Sequence, residues 1–127
     1  MNLPLISIIT IVYNDKKGLL NTIKSVKDQT YNNIEFIIID GNSTDGTKTI
    51  IENFKNQIDY WVSEPDKGIY DAMNKGLKIA AGEWVIFMNA GDLFYSKNVI
   101  DDVFKTKNID NYDVIYGDTI GVHDNEK

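Results

Sequence analysis

Residues 33–47 read NIEFIIIDGNSTDGT, and the change of character inside them decides the fold. Isoleucine and phenylalanine run with little polar alternation up to Asp40, the pattern of a strand covered on both faces, as in a parallel sheet. Small polar residues then break the run. NSTDGT (42–47) offers several N-cap candidates, and Ile50, Ile51 and Phe54 follow at helical spacing. A buried strand that ends on a carboxylate and turns at once into a helix is one βα unit.

The unit recurs on both sides. Upstream, LISIITIV (5–12) is a second apolar, β-branched run. KKGLLNTIKSVKDQ (16–29) then changes period, with Leu19, Leu20, Ile23 and Val26 on one helical face. Downstream, IDYWVSE (58–64) predicts a short third strand that PDKG breaks. A helix through about Ala81 follows, with Ile69, Met73, Leu77 and Ala80 expected on its inner face. EWVIFMN (83–89) predicts a fourth strand, Val99, Ile100, Val103 and Phe104 a further helix, and YDVIYGD (112–118) a further strand. Trp61 and Trp84 fall inside strand patterns and are expected in the core. Alternation of this kind predicts a three-layer α/β/α, Rossmann-like sandwich with a mostly parallel sheet, one domain over 1–127.

Composition narrows the chemistry. A hydrophobic content of 43% over 127 residues is globular. A net charge of -6 argues against a nucleic-acid partner, whose usual footprint is a basic patch. All 13 cationic side chains are lysines, so a phosphate must be held by Lys, backbone N–H groups or a metal. With no cysteine, disulfides, thiolate metal sites and thiol nucleophiles are excluded. The apolar N-terminal run lacks a basic flank and a cleavage site, and no run approaches the roughly 18 apolar residues that span a bilayer. A cytoplasmic protein is expected, peripheral at the inner face of the membrane if its partner is membrane-bound.

In such sheets ligands bind beyond the carboxyl ends of the strands. Three strand exits there are polar: Tyr13-Asn14-Asp15, Asp40-Gly41-Asn42 and Asn89-Ala90-Gly91-Asp92. The P-loop pattern and the Gly-rich dinucleotide fingerprint are both missing. Asp40 is open to two readings, as an acceptor for a nucleobase edge or ribose, or as the organiser of its own turn. Asp92 likewise reads as a ligand or as a turn residue before LFYS.

The blocks ISIITIVYN, IEFIIIDGNSTDGT and SEPDKGIYDAMNKGLKIAAGEWVIFMNAGD, taken together, resemble the family-2 glycosyltransferases of GT-A fold over nearly the whole chain. The resemblance implies that Tyr13 and Asn14, at the first exit, and Asp40 hold the nucleoside of a sugar nucleotide, with Tyr13 against the base. It places Asp66, Lys67 and Asn74 by the ribose and donor sugar, and Asn89 and Gly91 in the DXD-type block. Asp92 keeps the metal position of that block, for Mg²⁺ or Mn²⁺, hard ions that retain substrate phosphates as ligands. The family's other acidic positions there are Asn89 and Gly91 in this chain, and Met73 stands where many relatives carry an arginine. A phosphate clamp then falls to Lys67, Lys75 or elsewhere, and Tyr70 is open between packing and sugar contact.

The implied reaction is inverting sugar transfer, UDP-sugar favoured, to a glycan or lipid-linked acceptor of a bacterial polysaccharide pathway. The family's domain is commonly around twice as long, and its general base lies well beyond the DXD block. The chain therefore reads as the donor half, with the base expected beyond Lys127. Asp118 and Asp124 are not assigned that role, and His123 reads as a surface residue. An apolar face left uncovered by a missing half predicts a homodimer. Competing readings are a binding or self-association module without turnover, and another α/β nucleotide enzyme such as a nucleotidyltransferase. A receiver-like domain is disfavoured, because its acidic arrangement is not matched.

Overall fold

The fold is that of a computed structural model in which residues 3–106 are described. The expected strand at 112–118, with Asp118, and residues His123 and Asp124 lie outside them. Four strands, β1 (Ile6–Val12), β2 (Ile34–Asp40), β3 (Tyr60–Ser63) and β4 (Trp84–Phe87), alternate with helices α1 (Lys16–Lys27), α2 (Thr47–Asn53), α3 (Ile69–Ile79) and α4 (Val99–Thr106). The strands form one sheet in the order β3-β2-β1-β4, and every pairing is parallel. The chain runs outward from β1 to β3, then returns to the other side of β1 for β4. The strand order thus reverses between β1 and β4.

Alternation along β1 divides the core. Ile6, Ile8 and Val12 face one layer with Leu19 and Ile23 of α1, Ile51 of α2, and Ile100 and Phe104 of α4. Ile9 and Ile11 face the other, which α3 covers through Ala72 and Ile79. Complete burial of each such isoleucine contributes about 1.5–3 kcal/mol. Trp61 and Trp84 pack against the first layer, as expected, and Trp84 meets the Phe104 ring at 6.0 Å.

Two expectations are corrected and one is made specific. The inner face of α3 is not the Ile69, Met73, Leu77 stripe, because Ile69 and Leu77 are 48% and 46% exposed while Ala72 is fully buried. The small residues decide this rotation. A Cβ on Gly76 would sit 2.5 Å from Ile9 Cγ2, so the helix lies on the sheet at a distance only glycine allows. The N-cap of α2 is Gly46, with φ 105°, inside the expected 42–47 stretch, and no side chain of the cap residue bonds the helix. Asp45 instead accepts from the Thr47 amide at 3.0 Å and from its hydroxyl, and so organises the turn from one residue earlier. These bonds, the Thr47 hydroxyl foremost, hold the Asp45 carboxyl below its ordinary range. Last, β3 and β4 are shorter than expected. Past the end of β4 the ladder nevertheless persists, as the Met88 and Ala90 amides donate to Ile9 and Ile11 carbonyls at 2.9 Å each.

Candidate functional site

Strands β2, β1 and β4 are adjacent, so their three polar exits share one rim. Between them lies a cleft of about 390 Å³ whose walls include Tyr13, Asp15, Asp66, Ile69, Ala72 and Asn89. It sits where the strand order reverses, the position open α/β sheets use for ligands.

The rim is built mainly by side chains folding back on backbone. Asn14 takes a left-handed conformation (φ 49°) and bridges two exits. Its amide donates to Ser43 Oγ at 2.7 Å, and its side-chain oxygen accepts from the Thr44 amide at 2.8 Å. Asp40 is fully buried. Its carboxylate accepts from the Ser43 amide at 3.1 Å, from Ser63 Oγ at 2.6 Å and from Ser43 Oγ. It therefore organises the β2 exit and ties it to β3. Gly41 follows in close contact with both walls, since a Cβ there would meet Asp66 Oδ2 at 2.9 Å and Tyr13 Cδ1 at 3.3 Å and displace those side chains. That close approach brings Tyr13, 66% exposed, and Asp66 together at the cleft wall.

The loop before α3 is also fixed internally. Asp66 Oδ1 accepts from the Gly68 amide at 3.2 Å, and the Lys67 amide donates to Asp71 Oδ2 at 2.8 Å. Lys75 reaches back to the Pro65 carbonyl at 3.0 Å and to Glu64 at 3.0 Å, so it fastens the loop to α3. Lys67 and Asn74 are exposed and do not line the cleft.

At the β4 exit the turn Asn89-Ala90-Gly91-Asp92 closes on itself. The Asn89 amide donates to Asp92 Oδ2 at 2.9 Å, and the Asp92 amide to the Asn89 carbonyl at 2.8 Å. Gly91, with φ 98°, makes the bend possible. Its amide donates to Thr22 Oγ1 at 3.0 Å. With Met88 and Ala90 bonded to β1, all five amides from Met88 to Asp92 have partners within the protein. Asp15, which caps α1 by accepting from the Gly18 amide at 3.0 Å, lies across from this turn. A Cβ on Gly91 would be 3.8 Å from its Oδ2.

Tyr13, Asp66 and Asn89 thus line one cleft, and Gly91 and Asp92 form the turn that carries Asn89. Asp15 lines it too; sequence reading counted it in the polar exit but gave a binding role only to Tyr13 and Asn14 there. Thr22, Ser25 and Gln29 of the α1 region were also missed. Thr22 Oγ1 donates to the Asp92 carbonyl at 2.8 Å, Ser25 Oγ accepts from the Phe94 amide at 2.8 Å, and Gln29 bonds the Ser96 carbonyl at 2.6 Å and the Ile100 amide at 3.1 Å. Their spacing of three and four was the available signal, a polar stripe beside the apolar one.

A divalent cation can be tested against these atoms. Among the described residues no group of three His, Cys, Asp or Glu side chains could hold a metal by itself. The donor chemistry nevertheless fits a hard ion. Asn89 Oδ1 is buried with no hydrogen-bond partner, on the same turn as Asp92. The cleft walls carry two carboxylates and no lysine. The turn therefore fits a cation that shares its remaining ligands with a substrate.

A parallel α/β sheet with an acidic cleft at its reversal point is the layout of GT-A sugar transferases. Residues 7–127 match the family described as Glycosyl transferase family 2, and the chain belongs to that family. An uncharacterised glycosyltransferase of Mycobacterium tuberculosis is 43% identical over 98 residues, 76% of this chain and 37% of that protein. A PGL/p-HBAD biosynthesis glycosyltransferase of Mycobacterium bovis is 32% identical over 94% of this chain and 48% of its own length. The chain thus spans less than half of these relatives. Among solved structures, S. aureus TarS in complex with UDP-GlcNAc superposes with a TM-score of 0.69 at 27% identity, over 77% of this chain and 29% of that one. A Pyrobaculum calidifontis mannosyltransferase in complex with GDP-Man and Mn²⁺ gives 0.72 at 23% identity, over 79% and 31%. The latter likeness is one of fold.

Proposed function

We propose that this chain is the donor-binding part of an inverting, metal-assisted glycosyltransferase that takes a nucleoside diphosphate sugar. The observation that carries the reading is the state of the 88–92 turn. Its backbone amides are all committed internally, Asn89 on the cleft wall carries an unpaired Oδ1, Asp15 lines the opposite wall, and the Asp92 carboxylate sits on the same turn as Asn89. Such a surface repels a bare diphosphate and accepts one that arrives with a cation. Asp92 and Asn89 would hold that ion, and its chemistry when bound is to neutralise charge on the leaving diphosphate.

The remaining roles belong to the chain. Tyr13 supplies a face for the base, Asp66 accepts from the nucleoside's N–H or O–H groups, and Ile69 and Ala72 keep water from the wall beneath. Asp40, Asn14 and Gly41 hold Tyr13 and Asp66 in place. Deprotonation of the acceptor hydroxyl is assigned to a carboxylate outside this donor half. A uridine donor is favoured, and TarS, solved with UDP-GlcNAc at 27% identity, supports that choice. The acceptor is a glycan or lipid-linked saccharide of a bacterial envelope pathway, met at the inner face of the membrane.

Calorimetric titration of UDP, GDP and dTDP, with and without Mn²⁺, tests the reading. Mn²⁺-dependent binding of UDP is expected, with affinity falling at least about tenfold in Asp92→Asn, as for lost metal ligands or their supports. Binding of none of the three nucleotides by the folded chain would falsify the donor-site reading.

A further inference from the structure

Thr22 belongs to none of the polar exits, yet it is the residue on which the 89–92 turn rests. It is completely buried in the middle of α1. Its one hydroxyl is used in both directions, accepting from the Gly91 amide at 3.0 Å and donating to the Asp92 carbonyl at 2.8 Å. No other side chain among the described residues takes the Gly91 amide. The two bonds grip the peptide groups on either side of the Gly91–Asp92 link, and so determine how the Asp92 Cα–Cβ bond is aimed. Below Thr22, Ser25 and Gln29 continue the same attachment to Phe94, Ser96 and Ile100.

We infer that Thr22 is a positioning residue for cation and diphosphate binding, acting through the backbone of the 89–92 turn and touching neither ligand. The inference rests on the donor-site reading above. A threonine is suited to the task because its hydroxyl can donate and accept at once, and its β-branched side chain has few rotamers inside a helix. Outer-shell groups that orient metal ligands typically alter metal affinity or activity by about 10- to 100-fold when removed.

The test compares Thr22→Val, which keeps shape and removes the hydroxyl, with Thr22→Ser, which keeps the hydroxyl. Tyr31→Phe serves as a reference, because it deletes another buried hydroxyl, bonded to the Pro4 carbonyl, at the opposite end of the sheet. Two quantities are read: the Mn²⁺ concentration giving half-maximal UDP binding, and hydrogen exchange at the Gly91 amide without metal. Thr22→Val should raise the first by about 10- to 100-fold and speed the second. Thr22→Ser should restore both toward wild type, and Tyr31→Phe should move neither. If Thr22→Val does not fold, Ser25→Ala reads the next attachment along the same loop and should shift the Mn²⁺ requirement in the same direction by less. A Thr22→Val protein with wild-type Mn²⁺ dependence, or a Ser25→Ala protein with no shift in the second case, overturns the inference while wild-type binding upholds the donor site. Failure of the wild type to bind any nucleotide overturns both.

Discussion

Asp40 shows what a single residue discloses from sequence and what it withholds. A carboxylate at a strand exit was legible, with two roles open. One of its partners, Ser43, lies three residues on and was within reach of local reasoning. The other, Ser63, is opposite Asp40 only because β3 pairs with β2 in that register. Nothing local announces it, so the completeness of the carboxylate's hydrogen bonding was not legible. Tyr31 makes the same point for titration. Burial, and then the charges of Asp101 and Glu83, push its phenol above the ordinary value of 10.0. The neutral phenol is therefore favoured in the folded state. Unfolded chain would lose this proton first as pH rises, so the contribution is complete below pH 10 and declines as pH climbs toward the folded value. Chemical denaturation at pH 8 to 11 should show an alkaline loss of stability that Tyr31→Phe removes. At neutral pH the same substitution should cost about 1 kcal/mol, for the bond to the Pro4 carbonyl. An alkaline limb identical in both proteins would rule out Tyr31 as its source.

At the scale of elements, hydrophobic period located every described strand and α-helix but misjudged which side of α3 faces inward. Period counting weighs side chains by apolarity, and it ranked Ile69 and Leu77 above Ala72 and Gly76. Packing weighs them by fit. The sheet presents Ile9 at the crossing, and only a residue without Cβ accommodates it at that distance. Gly76→Ala is informative because two effects oppose each other. Alanine gains about 1 kcal/mol of helix propensity. Overpacking against Ile9, which is fully buried and branched at Cβ, typically costs about 1–3 kcal/mol. The clash should win, lowering the urea midpoint, whereas an exposed-face change such as Lys78→Ala should leave it nearly unmoved. An unchanged or raised midpoint for Gly76→Ala would show that α3 can shift outward without loss.

For the molecule as a whole, the two faces of the sheet are unequally covered. Three helices close the first layer. On the second, α3 is the one helix among the described residues, and Ile11, Val62, Val85 and Phe87 are only partly buried around it. On α3 itself Ile69, Tyr70 and Leu77 are exposed. The chain at 14.4 kDa is accordingly expected to self-associate through this face. Light scattering should give a mass above the monomer value that falls on dilution, and a Phe87→Lys variant should stay monomeric. A sharp monomer mass at high concentration would remove the proposal.

The attachment of the β4 exit to α1 also sets an order of events during synthesis. A chain emerging from the ribosome delivers α1 some seventy residues ahead of the turn it will hold, several seconds at about 5–20 residues per second. The pairing of β1 with β2 can form in that interval, because both strands are already out. The groups on α1 that wait for the turn itself are hydroxyl and amide, which water solvates without penalty. A nascent intermediate is thus left with a wet seam where the β4 exit will dock. The cleft comes into being only when residue 92 has cleared the exit tunnel and that seam is closed.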